Sequence, residues 1–301
     1  MIQASPLQVG DRVGITCPAG SIPLEKVQNI VQRLTSWGYQ VVLGDTVGKE
    51  YFYFAASDEV RKNELQNMMD DPTLKAIICA RGGYGVSRIV YDLDFTGIKA
   101  FPKWVVGFSD ITVLHAALLA HGISSVHGSM AAAFNKGEEG EPYVQSLYSI
   151  LTGKENEIVA SSHPLNQNGV ATAPLVGGNL CLMAHLIGSK FQMQTKSKLV
   201  FIEDIGETHY NIDRMLIQLQ QAGVFKDVAG IIVGGFTEMK DKEENFLGIS
   251  VNELIKSYFN HLHCPIAFNF PISHGLENFS VKEGANYKLV VSSNNVVLKE
   301  I

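Results

Sequence analysis

Basic clusters, long apolar stretches and paired cysteines are all missing from this sequence. Its 24 Lys and Arg residues are outnumbered by 30 Asp and Glu residues, which gives a net charge of −6. Nucleic acid is therefore excluded as an expected partner, because the domains that bind it carry a basic patch. Residues Met1 to Asp11 lack a secretory signal pattern, and no apolar run is long enough to cross a bilayer. We therefore expect a cytoplasmic protein that does not contact a membrane.

The cysteines are scattered and lie mostly in apolar runs, and none forms a Cys-x-x-Cys pair. They are Cys17, Cys79, Cys181 and Cys264. This pattern is typical of reduced core cysteines in a cytosolic protein and does not predict a structural zinc site. The only metal-like pattern is a weak one, His261 and His263 followed by Cys264. No G-x-G-x-x-G fingerprint of dinucleotide binding is present either. We expect neither a metal nor a cofactor.

What the sequence does contain is enough apolar material for a large core, with 46% hydrophobic and 18% charged residues in 301 positions. Strand and helix patterns alternate through residues 1–135, which predicts a parallel sheet covered by helices on both faces. The more polar segment 136–170 is predicted as a linker. Residues 171–301 mix strands, helices and a final hairpin, which indicates a smaller α+β or barrel-like second domain.

The rest of the chain is organised around residues 104–115. An apolar run beginning at Trp104 predicts a buried strand, and a helical run begins at Ile111. Ser109 therefore lies in a sharp strand-to-helix turn, where its hydroxyl would stand at the carboxyl edge of the sheet, a position suited to a nucleophile. The alternative is that Ser109 or Asp110 only caps the helix, because both residue types are favoured there.

A glycine-rich segment follows the predicted strand Leu74 to Ala80 and should reach the same sheet edge. It reads Arg81-Gly82-Gly83-Tyr84-Gly85. Glycines at such a point let backbone N–H groups approach a ligand closely or form an anion-binding nest. The alternative is an ordinary glycine turn.

A serine nucleophile needs a base, and nine histidines are available. His115 is six residues beyond Ser109 and faces away from it on a helix. His127 follows the predicted strand Ile123 to Val126 and could line the same edge. His274 stands on a loop after an apolar run, which is a usual place for a base. Glu203 closes another buried strand and could orient the imidazole. The alternative is that Glu203 and Asp204 are solvated acids capping the next helix.

Short motifs in a fixed order resemble those of the LD-carboxypeptidases, the serine peptidase family that also includes the microcin immunity hydrolases. The resemblance extends from Asp11 to about Asn278. It rests on Tyr53-Phe54-Ala55 before Ser57-Asp58, Ala80 to Gly85, Gly107 to Asp110, His127-Gly128, Gly177 to Leu180, Glu203-Asp204 with Asp213-Arg214, and Ser273-His274-Gly275.

The resemblance implies Ser109 as nucleophile, His274 as base and Glu203 as orienting acid. It implies an oxyanion hole formed by the N–H of Asp110 and that of Gly82 or Gly83. A flavodoxin-like first domain, a barrel-like second domain and commonly a homodimer are implied as well. From the same motifs, the residues predicted to bind substrate are Arg81, Tyr84, His127 and Asn179.

We therefore expect a serine carboxypeptidase that cleaves an L-to-D peptide bond of a muropeptide and releases D-alanine during cell-wall recycling. The free guanidinium of Arg81 is the predicted reader of the substrate's terminal carboxylate, unless it pairs internally with an acid such as Asp110. One alternative is a peptidyl-nucleotide immunity hydrolase. That activity would call for a stacking aromatic in the second domain, where neither Trp37 nor Trp104 lies. Another alternative is a non-catalytic sensor of small anions built on the Arg81 loop.

Overall fold

The computed structural model describes residues 1–241 and 247–301. Its strands are β1 (Arg12–Thr16), β2 (Gln40–Leu43), β3 (Leu74–Cys79), β4 (Trp104–Gly107), β5 (Ser125–His127), β6 (Glu157–Ser161), β7 (Gly169–Asn179), β8 (Leu199–Ile205), β9 (Gly230–Thr237), β10 (Ile266–Ala267), β11 (Val281–Glu283), β12 (Asn286–Val291) and β13 (Asn295–Glu300). Its α-helices are α1 (Gln28–Ser36), α2 (Asp58–Asp70), α3 (Thr96–Ala100), α4 (Thr112–Ala120), α5 (Ala131–Phe134), α6 (Glu141–Leu151), α7 (Leu180–His185), α8 (His209–Gln221) and α9 (Val251–Phe259).

The chain forms two compact units. Unit 1 comprises Met1–Glu155 together with Phe279–Glu283, and unit 2 comprises Asn156–Asn278 together with Gly284–Ile301. Unit 1 is therefore discontinuous in sequence, because a short piece from late in the chain belongs to it. Among the described residues, none of the helices has the length and apolar character needed to cross a membrane.

Unit 1 is built on a six-stranded sheet in the order β11-β5-β4-β3-β1-β2. Strands β1 to β5 are parallel, and β11 pairs antiparallel with β5. The order β2-β1-β3-β4-β5 is that of flavodoxin, so the predicted flavodoxin-like domain is confirmed. Strands β1, β3, β4 and β5 are buried on both faces, as expected for a parallel sheet covered by helices, whereas the edge strand β2 is partly exposed.

The segment 136–170, predicted as a linker, contains regular structure. Helix α6 places Val144, Leu147 and Ile150 in the core of unit 1, and strand β6 joins the sheet of unit 2. The spacing of those three residues repeats every three positions, which puts them on one helix face. The flanking glycines and charged residues suggested a loop, but this apolar face decides where the helix packs. The structural division of the chain falls after Glu155.

Unit 2 contains a seven-stranded mixed sheet in the order β10-β9-β8-β7-β12-β13-β6. Strands β7 to β10 run parallel, and the remaining pairs are antiparallel, including the predicted C-terminal hairpin of β12 and β13. Gln167 and Ile266 exchange main-chain hydrogen bonds of 2.9 and 3.0 Å. Because Gln167 precedes β7, this exchange closes β7 to β10 into a ring, in line with the barrel-like prediction.

Candidate active site

The turn after β4 holds Ser109 in an unusual backbone conformation. Strand β4 is buried and Phe108 is extended. Ser109 then adopts φ = 65° as the first residue of a 3-10 turn that leads into α4. A non-glycine residue at positive φ is uncommon, and such strain persists where the surrounding structure enforces it, often at functional sites. Ser109 is partly exposed while Asp110 and Ile111 beside it are buried. The predicted strand-to-helix turn is confirmed, with the serine at its apex.

Neither Ser109 nor Asp110 caps a helix with its side chain, so the capping alternative is wrong. The Asp110 carboxylate instead accepts a hydrogen bond of 2.8 Å from the N–H of Val86, just beyond the glycine segment. Burial raises the pKa of Asp110 to about 6, although this hydrogen bond opposes the shift. Asp110 therefore connects the serine turn to the segment that follows β3.

The glycine segment lies directly against the serine. A Cβ atom at Gly82 would stand 2.7 Å from Ser109 Cβ and 3.0 Å from Ser109 Oγ, so only glycine fits there. The Gly82 carbonyl accepts a hydrogen bond of 3.0 Å from the N–H of Gly20. In the described part of the chain, the N–H groups of Gly82 and Gly83 donate to no main-chain acceptor. Two backbone donors without a main-chain acceptor therefore belong to or adjoin the residue that packs on the Ser109 side chain, which is the kind of group an oxyanion hole requires.

The remaining predicted residues of unit 1 differ in their exposure and contacts. Arg81 is exposed, and its Nη1 donates to the carbonyl of Ser21; no ion pair joins it to Asp110 within residues 1–241 and 247–301. Tyr84 is 49% exposed. His127 is buried at the end of β5, with its ring centroid 5.8 Å from that of Phe108.

His115 supports the serine turn by contacts with the ends of β4 and β5. Its position in the sequence did not indicate this role. The side chain is fully buried; its Nε2 lies 2.9 Å from the carbonyl oxygen of Gly107, and its Nδ1 lies 2.8 Å from Ser125 Oγ. Burial lowers the pKa of His115 to about 4, so the ring is neutral at physiological pH. His115 joins α4 to the ends of β4 and β5 and is part of the core rather than a base.

In unit 2 the structure brings Glu203 and His274 together. The Nδ1–H of His274 donates to Glu203 Oε2 at 2.5 Å, and the Glu203 side chain is completely buried. The alternative of a solvated acid pair is therefore wrong. Burial disfavours the charged imidazole, but the Glu203 carboxylate outweighs that effect and raises the pKa of His274. This arrangement fixes the tautomer in which Nε2 is the proton acceptor.

A β-bulge explains how residues 71 positions apart come into contact. Between its pairs Ile202–Val233 and Asp204–Phe236, the β8–β9 register sets Gly234 and Gly235 of β9 opposite the single residue Glu203. A Cβ at Gly234 would stand 2.1 Å from the carbonyl oxygen of Ile272, and the N–H of Gly235 donates to that oxygen at 3.1 Å. The close approach directs the following loop, and with it His274, toward Glu203.

The loop itself is held by Ser273. Its hydroxyl accepts from the N–H of Gly275 at 3.0 Å and donates to the carbonyl of Glu277 at 2.9 Å. These two bonds fix the backbone on the C-terminal side of His274. The imidazole is therefore positioned by its side-chain acid and by its own loop.

Asp204 and Asn179 have a different role from Glu203. Asp204 is buried and accepts hydrogen bonds from Asn179 Nδ2 at 2.7 Å and from the N–H of Cys181 at 3.0 Å. Asn179 Oδ1 also accepts from the N–H of Leu182 at 3.2 Å, which caps α7. Burial raises the pKa of Asp204 to about 6, and the neighbouring Glu203 adds to the shift. Both ends of the Asn179 amide are thus used within unit 2, and its predicted contact with substrate stays a prediction.

The weak metal pattern at His261, His263 and Cys264 does not form a ligand cluster. Within residues 1–241 and 247–301, no three His, Cys, Asp or Glu side chains are grouped so that they could hold a metal ion.

Comparison with known protein families identifies the chain. The N-terminal domain of the LD-carboxypeptidases matches residues 13–128, and their C-terminal domain matches residues 172–289. The chain belongs to the LD-carboxypeptidase family. The family is one of serine peptidases, and the strained Ser109 lies within the first matched region. Glu203 and His274 lie within the second.

Relatives of this LD-carboxypeptidase cover almost its whole length. A probable murein peptide carboxypeptidase of Bacillus subtilis is 34% identical and covers 97% of this chain and 93% of its own. The murein tetrapeptide carboxypeptidase of Pseudomonas aeruginosa is 29% identical, with 90% of each chain covered. The crystal structure of a muramoyltetrapeptide carboxypeptidase from Oxalobacter formigenes superposes with a TM-score of 0.87 at 29% identity, covering 96% of this chain and 98% of that one.

The microcin C7 self-immunity protein MccF shares the fold as well. Its complex with aspartyl sulfamoyl adenosine superposes with a TM-score of 0.87, covering 100% of this chain and 99% of that one. The sequence identity is only 21%, so this likeness concerns the fold and not the activity.

Proposed function

We propose that this LD-carboxypeptidase hydrolyses the peptide bond before the terminal D-amino acid of a murein peptide, releasing D-alanine from murein tetrapeptide in cell-wall recycling. The observation that carries the proposal is the buried Glu203–His274 pair, found in a family member that also holds a serine at positive φ beside a glycine segment. The murein peptide substrates named for its relatives give the substrate class.

The proposed reaction begins with attack of Ser109 Oγ on the scissile carbonyl, while His274 Nε2 takes the hydroxyl proton. Glu203 stabilises the imidazolium that forms. The oxyanion of the tetrahedral intermediate accepts hydrogen bonds from the N–H of Asp110 and from that of Gly82 or Gly83. Proton transfer from His274 to the amine then releases the D-amino acid. Water attacks the acyl-enzyme, again losing a proton to His274, and frees Ser109.

Arg81 is our proposed reader of the substrate's terminal carboxylate. A carboxylate removed from water needs a cation or convergent donors, and the exposed Arg81 side chain precedes the Gly82 that packs on Ser109. Tyr84, His127 and Asn179 complete the set of residues that we propose to contact or shape the bound peptide.

Modification of the substrate's terminal carboxylate tests the carboxypeptidase activity directly. The parent enzyme should lose most of its kcat/KM when the terminal D-alanine of a murein tetrapeptide is amidated. The Arg81→Ala variant should lose activity on the free acid and show a smaller difference between acid and amide. Arg33, which pairs with Glu141 at the surface at 2.6 Å, provides the control, because Arg33→Ala should keep the parent's preference. Equal cleavage of acid and amide by the parent would overturn the carboxypeptidase proposal.

The two alternatives make different predictions. A peptidyl-nucleotide hydrolase would cleave an aminoacyl nucleotide in preference to the murein peptide, but both tryptophans of this chain are in unit 1 and neither is available as a stacking residue in unit 2. A non-catalytic sensor would bind the peptide without turnover and would not be labelled at Ser109 by a serine-reactive phosphonate. Labelling that is lost in Ser109→Ala supports the enzyme.

We further propose that the enzyme is a cytoplasmic homodimer that binds neither nucleic acid nor membranes. Its net charge of −6 is unfavourable for anionic partners. Sedimentation velocity would measure the oligomeric state, and a monomer at micromolar concentration would contradict the dimer.

A further inference from the structure

A buried cation in unit 1 is not used by the chemistry proposed above. Arg61, in the first turns of α2, has a side chain with no exposed surface. Arginine is almost never fully buried unless its charge and its donors are satisfied, so its partners indicate what it holds in place.

The guanidinium of Arg61 donates to three separate pieces of backbone. Nη1 donates to the carbonyl of Pro18 at 2.5 Å and to that of Gly85 at 3.1 Å, and Nε donates to Ala56 at 3.1 Å. Nη2 pairs with Asp58. The planar fork thus connects the segment after β1, the segment before α2 and the last residue of the glycine segment 81–85.

Two surrounding groups reinforce this connection. Asp58 also accepts three hydrogen bonds from Arg88, at 2.6 to 3.0 Å, just beyond the glycine segment. The Phe54 ring lies 4.8 Å from Arg61 Cζ. Position 85 has no room for a side chain beside the guanidinium, because a Cβ on Gly85 would stand 2.7 Å from Arg61 Nη1.

The segment 81–85 is therefore fixed at both ends while its middle faces the nucleophile. The Gly82 carbonyl is held by Gly20, the Gly85 carbonyl is held by Arg61, and the next N–H, from Val86, is held by Asp110. The Gly83 N–H lies between these points and the Gly82 N–H immediately precedes the first of them, with Gly82 packed on Ser109. An oxyanion hole depends on such donors being held in place before the reaction, not recruited during it.

We propose that Arg61 is a positioning residue that holds the segment 81–85 in the geometry required for oxyanion binding. The inference rests on the proposed serine mechanism for its kinetic consequence. Its structural consequence, an ordered segment 81–85, can be measured without activity. Lysine cannot replace arginine here, because an ammonium group has only three donors and lacks the planar fork that reaches three carbonyls and a carboxylate at once.

The same helix offers a matched control at its other end. Lys103 is also buried, and its Nζ donates to the carbonyls of Met68, Met69 and Asp71 at the end of α2, at 3.1, 2.8 and 2.6 Å. Lys103 therefore resembles Arg61 in burial and in its backbone partners but does not contact the glycine segment. Lys103→Met should destabilise unit 1 without changing the oxyanion hole.

The kinetic test compares Arg61→Lys and Arg61→Met with Lys103→Met. Both Arg61 variants should lower kcat by about 10² to 10³, the effect of losing one oxyanion donor, while KM changes less than about threefold. Affinity for a peptide boronate, which mimics the tetrahedral intermediate, should fall by the same factor as kcat. Lys103→Met should lower the Tm but keep kcat and boronate affinity within about twofold. Unchanged kcat in folded Arg61→Lys would overturn the inference, as would an equal loss in Lys103→Met.

Amide hydrogen exchange separates this inference from the proposed function. Exchange of the amides in residues 81–86 should accelerate at least about tenfold in Arg61→Lys and should stay at the parent's rate in Lys103→Met. If the parent enzyme proves inactive on every murein peptide, faster exchange would still support the positioning role. Exchange at the parent's rate in folded Arg61→Lys would refute that role whatever the activity. If Arg61→Met does not fold, the Lys variant decides both measurements.

Discussion

The candidate catalytic residues of unit 1 depend on main-chain groups, whereas those of unit 2 depend on side chains. In unit 1 the Ser109 hydroxyl lies against backbone, namely Gly82 and its own turn, in which Ser109 is at φ = 65°. In unit 2 the candidate groups are two side chains, a buried carboxylate and an imidazole joined at 2.5 Å. The unit 1 group should therefore be sensitive to added volume and indifferent to nearby charge. The unit 2 group should be sensitive to charge and to pH.

The largest effect should come from removing the hydroxyl itself. Ser109→Ala keeps the turn and its volume but leaves no nucleophile, so kcat should fall by about 10⁶, as for nucleophile loss in other serine hydrolases. Thermal unfolding should be nearly unchanged. If the variant keeps more than about a tenth of the parent's turnover, the serine mechanism is wrong.

A double variant tests whether the two groups act as one. His274→Ala alone should cost about as much as Ser109→Ala, and the Ser109→Ala, His274→Ala double variant should cost no more than either single change, because residues acting as a unit are not additive. If the fold loss of kcat in the double variant equals the product of the two single losses, Ser109 and His274 act in separate steps.

Glu203→Gln should have the next largest effect, a loss of about 10⁴ in kcat, because an amide favours the wrong imidazole tautomer. It should also change the pH profile. The carboxylate raises the pKa of His274, and the base works only when neutral, so parent activity is lost as pH falls through this raised pKa. Without the negative charge the pKa falls, and the acid limb of the profile should move to lower pH. If the acid limb of the pH profile does not move in Glu203→Gln, His274 is not the base in the rate-limiting proton transfer.

Gly82→Ala should lower kcat by about 10² to 10³, since its methyl group would displace the peptide from Ser109. Unlike Glu203→Gln, the Gly82→Ala variant should not shift the acid limb of the pH profile. Gly122→Ala is the control. Its backbone is at φ = 78° and a methyl group there meets no neighbour, so it adds strain without a clash at the site. Full activity in Gly82→Ala would remove this segment from the oxyanion hole.

Asp204→Asn should have the smallest effect, less than about tenfold in kcat. Asp204 is buried beside Glu203 but bonds Asn179 and Cys181 rather than the imidazole. Because its charge also raises the pKa of His274, the acid limb should move in the same direction as in Glu203→Gln, by a smaller amount. A severe defect here together with a silent Glu203→Gln would show that the orienting acid is misassigned.

The two groups also differ in how much of them the sequence predicts. The serine turn and the glycine segment can be predicted from local patterns, because neighbouring residues are enough to indicate a buried strand, a turn and a helix. That Glu203 rather than Asp204 meets His274 depends on the bulge at Gly234, a register property that no local pattern contains. The supporting contacts of Arg61 and His115 were missed for a related reason, because their carbonyl partners leave no signature in sequence.

Elements were missed where they are short or depend on distant partners. Strand β11 has three residues and exists because it pairs with β5, which lies more than a hundred positions earlier. Helix α6 lies in the segment predicted as a linker, because the charged and glycine-rich residues around it obscured its apolar face. The predicted C-terminal hairpin depends on neighbouring residues and is confirmed as β12 and β13.

The pairing of β11 with β5 has a consequence for the newly made chain. During synthesis, the outer edge of β5 stays open until residues Val281–Glu283 have left the ribosome, by which time the continuous part of unit 2 has already been translated. An open strand edge is a template for pairing with other chains. A nascent or truncated polypeptide ending before β11 should therefore bind chaperones and aggregate more readily than a chain that includes β11. Completion of the unit 1 sheet thus has to wait until the continuous part of unit 2 has been translated.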